Sequence, residues 1–161
     1  MYVFTQKVTS ELTPTLTLAL TAEERIRSRY RYTVPRDITE EAVGADRLSG
    51  SASNPYDLYL ELPRGTTLQD GDCIRGDDHS QVLRIVAKPE PVITVRATGQ
   101  PWLLRAAYHL GNRHVALEVG DDYLRLSPDP VLESMLKHFE VTVTAEIAPF
   151  QPESGAYGHQ H

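Results

Sequence analysis

Residues 93–126, ITVRATGQPWLLRAAYHLGNRHVALEVGDDYLRL, change rhythm twice, and those two changes decide the fold. Ile93, Val95 and Ala97 alternate with Thr94 and Arg96, the period of a strand with one buried face. Pro101 then suits a first helical position, where its missing N–H would have no partner anyway. Leu103, Ala106, Ala107 and Leu110 follow at helical spacing, and Gly111 sits where a left-handed C-terminal cap is expected. Val115, Leu117 and Val119 return to period two. Gly120-Asp121 has turn chemistry, and Tyr123 to Leu126 reads as one more strand.

Downstream the pattern completes itself. Asp129 is a good N-cap and Pro130 a good first residue for a second helix, whose apolar stripe is Val131, Leu132, Met135, Leu136 and Phe139. Val141, Val143, Ala145 and Ile147 alternate against Thr142, Thr144 and Glu146 as a last strand. Strand, helix, strand, strand, helix, strand is the split-βαβ, ferredoxin-like order. Upstream the chain alternates with period two at Leu16, Leu18 and Leu20, at Tyr30, Tyr32 and Val34, and at Tyr56, Leu58, Leu60 and Leu62. Thr21 to Arg25 reads as a short polar turn, and Val82 to Ala87 as a last strand of a small all-β module. Residues 35–55, polar, small and acidic, break the pattern as a surface insertion longer than most connections in compact domains. Pro89 and Pro91 mark a domain boundary. The expected class is α+β: an N-terminal all-β domain over 1–88, a ferredoxin-like βαββαβ domain over 89–148, and a mobile tail, rich in proline, glycine and polar residues, over 149–161.

Composition narrows the function. The chain has 161 residues and net charge −6, with no run of Lys or Arg. Arg25 to Arg36, the densest basic segment, is interleaved with Ile26, Tyr30 and Tyr32 as one face of a strand would be. Non-specific nucleic-acid binding, which depends on neutralising phosphates, is therefore disfavoured. Two domains this small bury proportionally little surface and would gain from an oligomeric contact. The single cysteine, Cys73, excludes an intramolecular disulfide and reads as a small buried residue. The N-terminus has neither the basic nor the apolar region of a signal peptide, and no apolar run reaches the ~20 residues of a membrane span. The expected location is cytoplasmic. There is no GxSxG elbow, phosphate-binding glycine loop or HExxH word, so no catalytic residue is assigned.

Six histidines carry the remaining signal. His109 and His114 flank Gly111, and His159 and His161 close the chain. On an unbroken helix the step from His109 to His114 turns a side chain by about 500°, or about 140° net, so the two are not a same-face chelate. His109 lies in the last helical turn, where the helix dipole favours an imidazolium. His79, in Gly76-Asp77-Asp78-His79-Ser80, reads as a turn residue, and His138 as solvent-facing at the end of the second helix.

The words AAYHLGNRHVALEV (106–119), LRLSPDPVLESML (124–136) and APFQPESGAY (148–157) closely resemble the UreE family of urease accessory nickel metallochaperones. ELPRGTTLQDGD (61–72), GDDHSQVLRI (76–85) and AKPEPV (87–92) are weaker matches to the same family. The resemblance implies a homodimer carrying Ni(II) as cargo, and as partners the urease accessory GTPase and, through it, the urease apoprotein complex. It implies His114 as the ligand shared at the dimer interface and His109 as at most peripheral, its rival role being packing or capping. The tail imidazoles of His159 and His161 would complete the shell, the rival reading being that they are solvated tail residues. A twofold axis makes sense of a lone histidine, because a residue near the axis appears twice. Imidazole suits nickel, copper and zinc alike, so Zn(II) or Cu(II) binding in vitro is compatible with the same ligands. Two departures lower the expected load to one firmly held ion per dimer: Pro128 and Pro130 stand where some members carry histidines, and the tail ends in only Gly158-His159-Gln160-His161. The alternatives are a small ferredoxin-like phosphatase using Asn112 and Arg113, and a metal-independent protein-binding adaptor.

Overall fold

Period-two stretches of the first half become strands of one six-stranded sheet in the computed structural model, which describes residues 1–8, 12–34, 56–76 and 81–154. The expected insertion at 35–55 and the turn holding His79 lie outside the described residues. Contacts divide the chain into two units, Met1–Ala87 and Lys88–His161.

The first unit contains β1 (Tyr2–Val8), β2 (Leu16–Leu20), α1 (Ala22–Arg25), β3 (Arg29–Val34), β4 (Tyr56–Glu61), β5 (Cys73–Gly76) and β6 (Val82–Ala87). The sheet order is β2-β6-β5-β1-β4-β3. Leu18, Leu20, Leu58, Leu60, Ile74, Leu83 and Ile85 turn inward from alternate positions and close on Phe4. β1 lies inside the sheet, parallel to β4 and antiparallel to β5, although Phe4 is its one buried residue. Ladder hydrogen bonds on both sides hold it, and these leave no periodic trace in sequence. Cys73 is buried, in keeping with its sequence reading.

The polar turn expected at Thr21 to Arg25 is instead the one-turn helix α1. The Thr21 hydroxyl accepts from the Glu24 N–H while the Glu24 carboxylate accepts from the Thr21 N–H, a capping box that satisfies both orphan donors. Arg25 also departs from the strand face expected for it, being buried at the end of this helix.

The second unit contains β7 (Pro89–Ala97), α2 (Gln100–Gly111), β8 (Glu118–Val119), β9 (Tyr123–Leu126), α3 (Pro130–Leu136) and β10 (Val141–Pro149). Its antiparallel sheet has the order β10-β7-β9-β8. Ala106 and Leu110 of α2 and Leu136 of α3 pack on Ile93, Val95, Leu124 and Leu126, so both helices cover one face. The Asp129 carboxylate accepts from the N–H groups of Val131 and Leu132, starting α3 where the sequence places its cap. Only Lys88 separates β6 from β7, so Pro89 and Pro91 belong to a strand rather than to a linker. They pair with β10 alone, since β9 reaches only as far as Ile93. On that side no neighbour needs a donor from them. No helix among the described residues is long and apolar enough to cross a membrane.

Candidate metal centre

The end of α2 is set by where an apolar residue can return to the core. The Val115 N–H donates to the Leu110 carbonyl at 3.3 Å, and the His114 N–H to the Gly111 carbonyl at 2.9 Å. These are the paired bonds of a Schellman cap with Leu110 at C3, His114 at the left-handed position and Val115 beyond it. His114 has φ 55°, and it is the one non-glycine with positive φ among the described residues. This corrects the expectation for Gly111, which stays within the helix. Had Gly111 taken the left-handed turn, Asn112 would have followed it, and a polar amide cannot pack back on the core. Val115 can, and it rests against the cluster that contains Leu110.

Left-handed backbone costs an L-residue roughly 1–2 kcal/mol relative to glycine, and such strain persists only where the surroundings impose it. Here it fixes the backbone of an exposed imidazole. Among the described residues nothing hydrogen-bonds the His114 ring, and no group of three or more His, Cys, Asp or Glu could hold a metal ion.

The other histidines are engaged differently. His109 is half-buried, its ring centroid 5.2 Å from Phe139 and 5.4 Å from Tyr108. That packing ties the last turn of α2 to the segment after α3. Arg113, on which a phosphatase reading rests, donates to the His109 carbonyl at 3.0 Å. His138 is exposed, with Nδ1 3.0 Å from the Ser134 carbonyl and 3.3 Å from that of Met135. A carbonyl only accepts, so Nδ1 carries the proton. His159 and His161 lie outside the described residues.

The segment leading toward them departs from the mobile tail expected from Pro149. Pro149 ends β10, and Phe150 is 2 % exposed. The Gln151 N–H donates to Glu118 Oε2 at 2.7 Å and the Glu153 N–H to the Leu117 carbonyl at 2.8 Å. Glu118 also accepts from the Tyr123 hydroxyl at 2.7 Å and from Arg125 Nη1 at 3.1 Å, and Arg125 Nη1 reaches the Pro149 carbonyl at 3.0 Å. The bond to Glu118 is the main cause raising the Tyr123 pKa above the ordinary phenol range. Arg125 further donates through Nε to Thr94, which donates to Glu146. Sequence reading missed Glu118, Arg125 and Phe150, because alternation marks polar positions of a strand as solvated and composition marks PFQPES as tail.

The model of the UreE urease accessory protein C-terminal domain matches residues 90–161, which span the elbow and this anchored segment. The urease accessory protein UreE of Nostoc sp. is 51% identical over 100% of this chain and 99% of its own length. That of Nostoc punctiforme is 48% identical over 100% and 98%, and that of Microcystis aeruginosa 51% identical over 89% and 79%. The chain belongs to the UreE family. Its match to the C-terminal domain model begins one residue into β7, so the family unit and the second compact unit nearly coincide.

Proposed function

We propose that this UreE-family chain is a cytoplasmic, homodimeric nickel metallochaperone and not an enzyme. It binds Ni(II) through His114 at the subunit interface and delivers it for assembly of the urease metallocentre. The observation that carries this reading is the elbow: an exposed imidazole with no partner among the described residues, on a backbone held left-handed by the Schellman cap. A single imidazole is a weak site, and two copies across a twofold axis make a better one. The ferredoxin-like second unit supplies this dimer contact, and the N-terminal β unit meets protein partners, among them the urease accessory GTPase and the urease apoprotein complex.

The anchored C-terminal segment supports a tail contribution. His159 lies six positions beyond Glu153, a reach of at most about 20 Å, and His114 three positions before Leu117, about 10 Å. His159 and His161 are therefore within range of a His114 ring, and they complete a shell that can also be dismantled. Protons compete with the metal ion for the imidazole nitrogens, so affinity falls in mild acid.

Equilibrium dialysis against Ni(II) tests the assignment on the wild type, on His114→Ala and on a chain ending at Tyr157. The expected result is one ion per two wild-type chains, loss of that ion in His114→Ala, and weaker binding in the shortened chain. Equal binding by His114→Ala and wild type would overturn the site. Metal-free phosphatase turnover would overturn the carrier reading altogether.

A further inference from the structure

We infer that Glu118, Arg125 and Phe150 form a clamp that carries the C-terminal segment across the sheet and roots it beside the elbow. This makes them positioning residues for the tail histidines, an inference that rests on the nickel-carrier reading. β10 and β8 are opposite edges of the four-stranded sheet, about 14 Å apart at ordinary strand spacing. The chain leaves β10 at Pro149, yet Gln151 and Glu153 are already bonded to Glu118 and Leu117 at the far edge.

Its path runs over the face away from the helices. Leu124 and Leu126 point into the helix-covered core, so Arg125 between them points the other way. Thr94 and Glu118 are the residues directly opposite Arg125 on the two neighbouring strands, and both bond to it. Arg125 and Glu118 are only 14% and 12% exposed, and each spends a polar atom on the crossing backbone: Arg125 on the Pro149 carbonyl, Glu118 on the Gln151 N–H. Such a pair, desolvated and tied to main chain, holds a fixed position in a way a solvated ion pair does not. Phe150, buried between these two attachment points, adds an apolar anchor.

The consequence is a shorter, better-placed tether. With the clamp closed, His159 follows six positions after an anchored Glu153, next to the strand that follows His114. With it open, His159 follows ten positions after Pro149, the last residue of the opposite edge. Effective concentration falls roughly as the −3/2 power of tether length, about twofold here, and the displaced root lowers it further. A loss of nickel affinity of about three- to tenfold is expected.

The experiment uses full-length Glu118→Ala and Phe150→Ala, with amide hydrogen exchange at Gln151 and Glu153 read beside nickel affinity. Phe150→Ala leaves the Arg125–Glu118 pair intact, so it tests the clamp even if Glu118→Ala folds poorly. The expected outcome is fast exchange at both amides and affinity lowered about three- to tenfold, between that of wild type and that of the chain ending at Tyr157 and above that of His114→Ala. Fast exchange with wild-type affinity overturns the positioning role, as does wild-type affinity in the chain ending at Tyr157. Either failure is distinct from failure of the carrier reading, which shows as His114→Ala binding nickel like wild type and removes the clamp's role with it.

Discussion

Both helices of the second unit end beside a histidine, and each uses its histidine in the opposite way. At the end of α3 the His138 ring turns back on its own helix, and its Nδ1–H meets the carbonyls of Ser134 and Met135. The side chain does the capping and the backbone stays ordinary. At the end of α2 the backbone does the capping, and the His114 main chain goes left-handed to make the Schellman bonds. The ring is thereby left over. A histidine spent on its helix has one nitrogen already committed, whereas one whose backbone closes the helix keeps both available to a metal ion. The residue that follows returns to the same core in both cases, Val115 from a left-handed turn and Phe139 from an ordinary one.

That contrast can be broken at its root. Leu110→Ala cuts into the cluster against which Val115 rests and empties a buried position, so unfolding free energy drops by about 2–5 kcal/mol in a denaturant titration. Nickel affinity falls with it if the cap aims His114. Unchanged affinity in the folded variant would show that the elbow needs no such support.

His114→Gly sharpens the comparison, because it separates stability from binding. Glycine adopts left-handed backbone without penalty, so the variant gains about 1 kcal/mol and its Tm rises by about 2–4 °C. Its nickel binding is lost as in His114→Ala. A lower Tm for the glycine variant would mean that the strain placed on His114 is not real.

His138→Ala gives the smallest change. It removes an exposed ring-to-carbonyl bond and costs a few tenths of a kcal/mol, with nickel binding equal to wild type in dialysis. Loss of nickel there would reverse the assignment of the two helix ends.

Much of this architecture is legible in the residues alone. Alternation at Leu18, Leu20, Leu58 and Leu60 and the helical stripe ending at Leu110 fall where the cores are. Burial of one face repeats with the local geometry of the backbone, so periodicity reports it directly. The signal for α1 is also present, since Thr21 and Glu24 have capping-box spacing, but a helix of one turn has no apolar stripe to announce it. β1 escapes because its place depends on neighbours far along the chain. His114 is singled out by its motif, but its left-handed conformation is not.

By itself the sequence determined the α+β class, the order of strands and helices in the second unit, and the histidines on which a metal reading rests. Tertiary structure alone decided which residue at the end of α2 bends left-handed, because that depends on Val115 finding Leu110 rather than on glycine's freedom. It alone decided that residues 150–153 are anchored and not loose, because Gln151 and Glu153 find their partners in Glu118 and Leu117, more than thirty residues earlier. Periodicity records what a residue does relative to its own strand or helix. It carries no record of which distant strand supplies the other half of a bond.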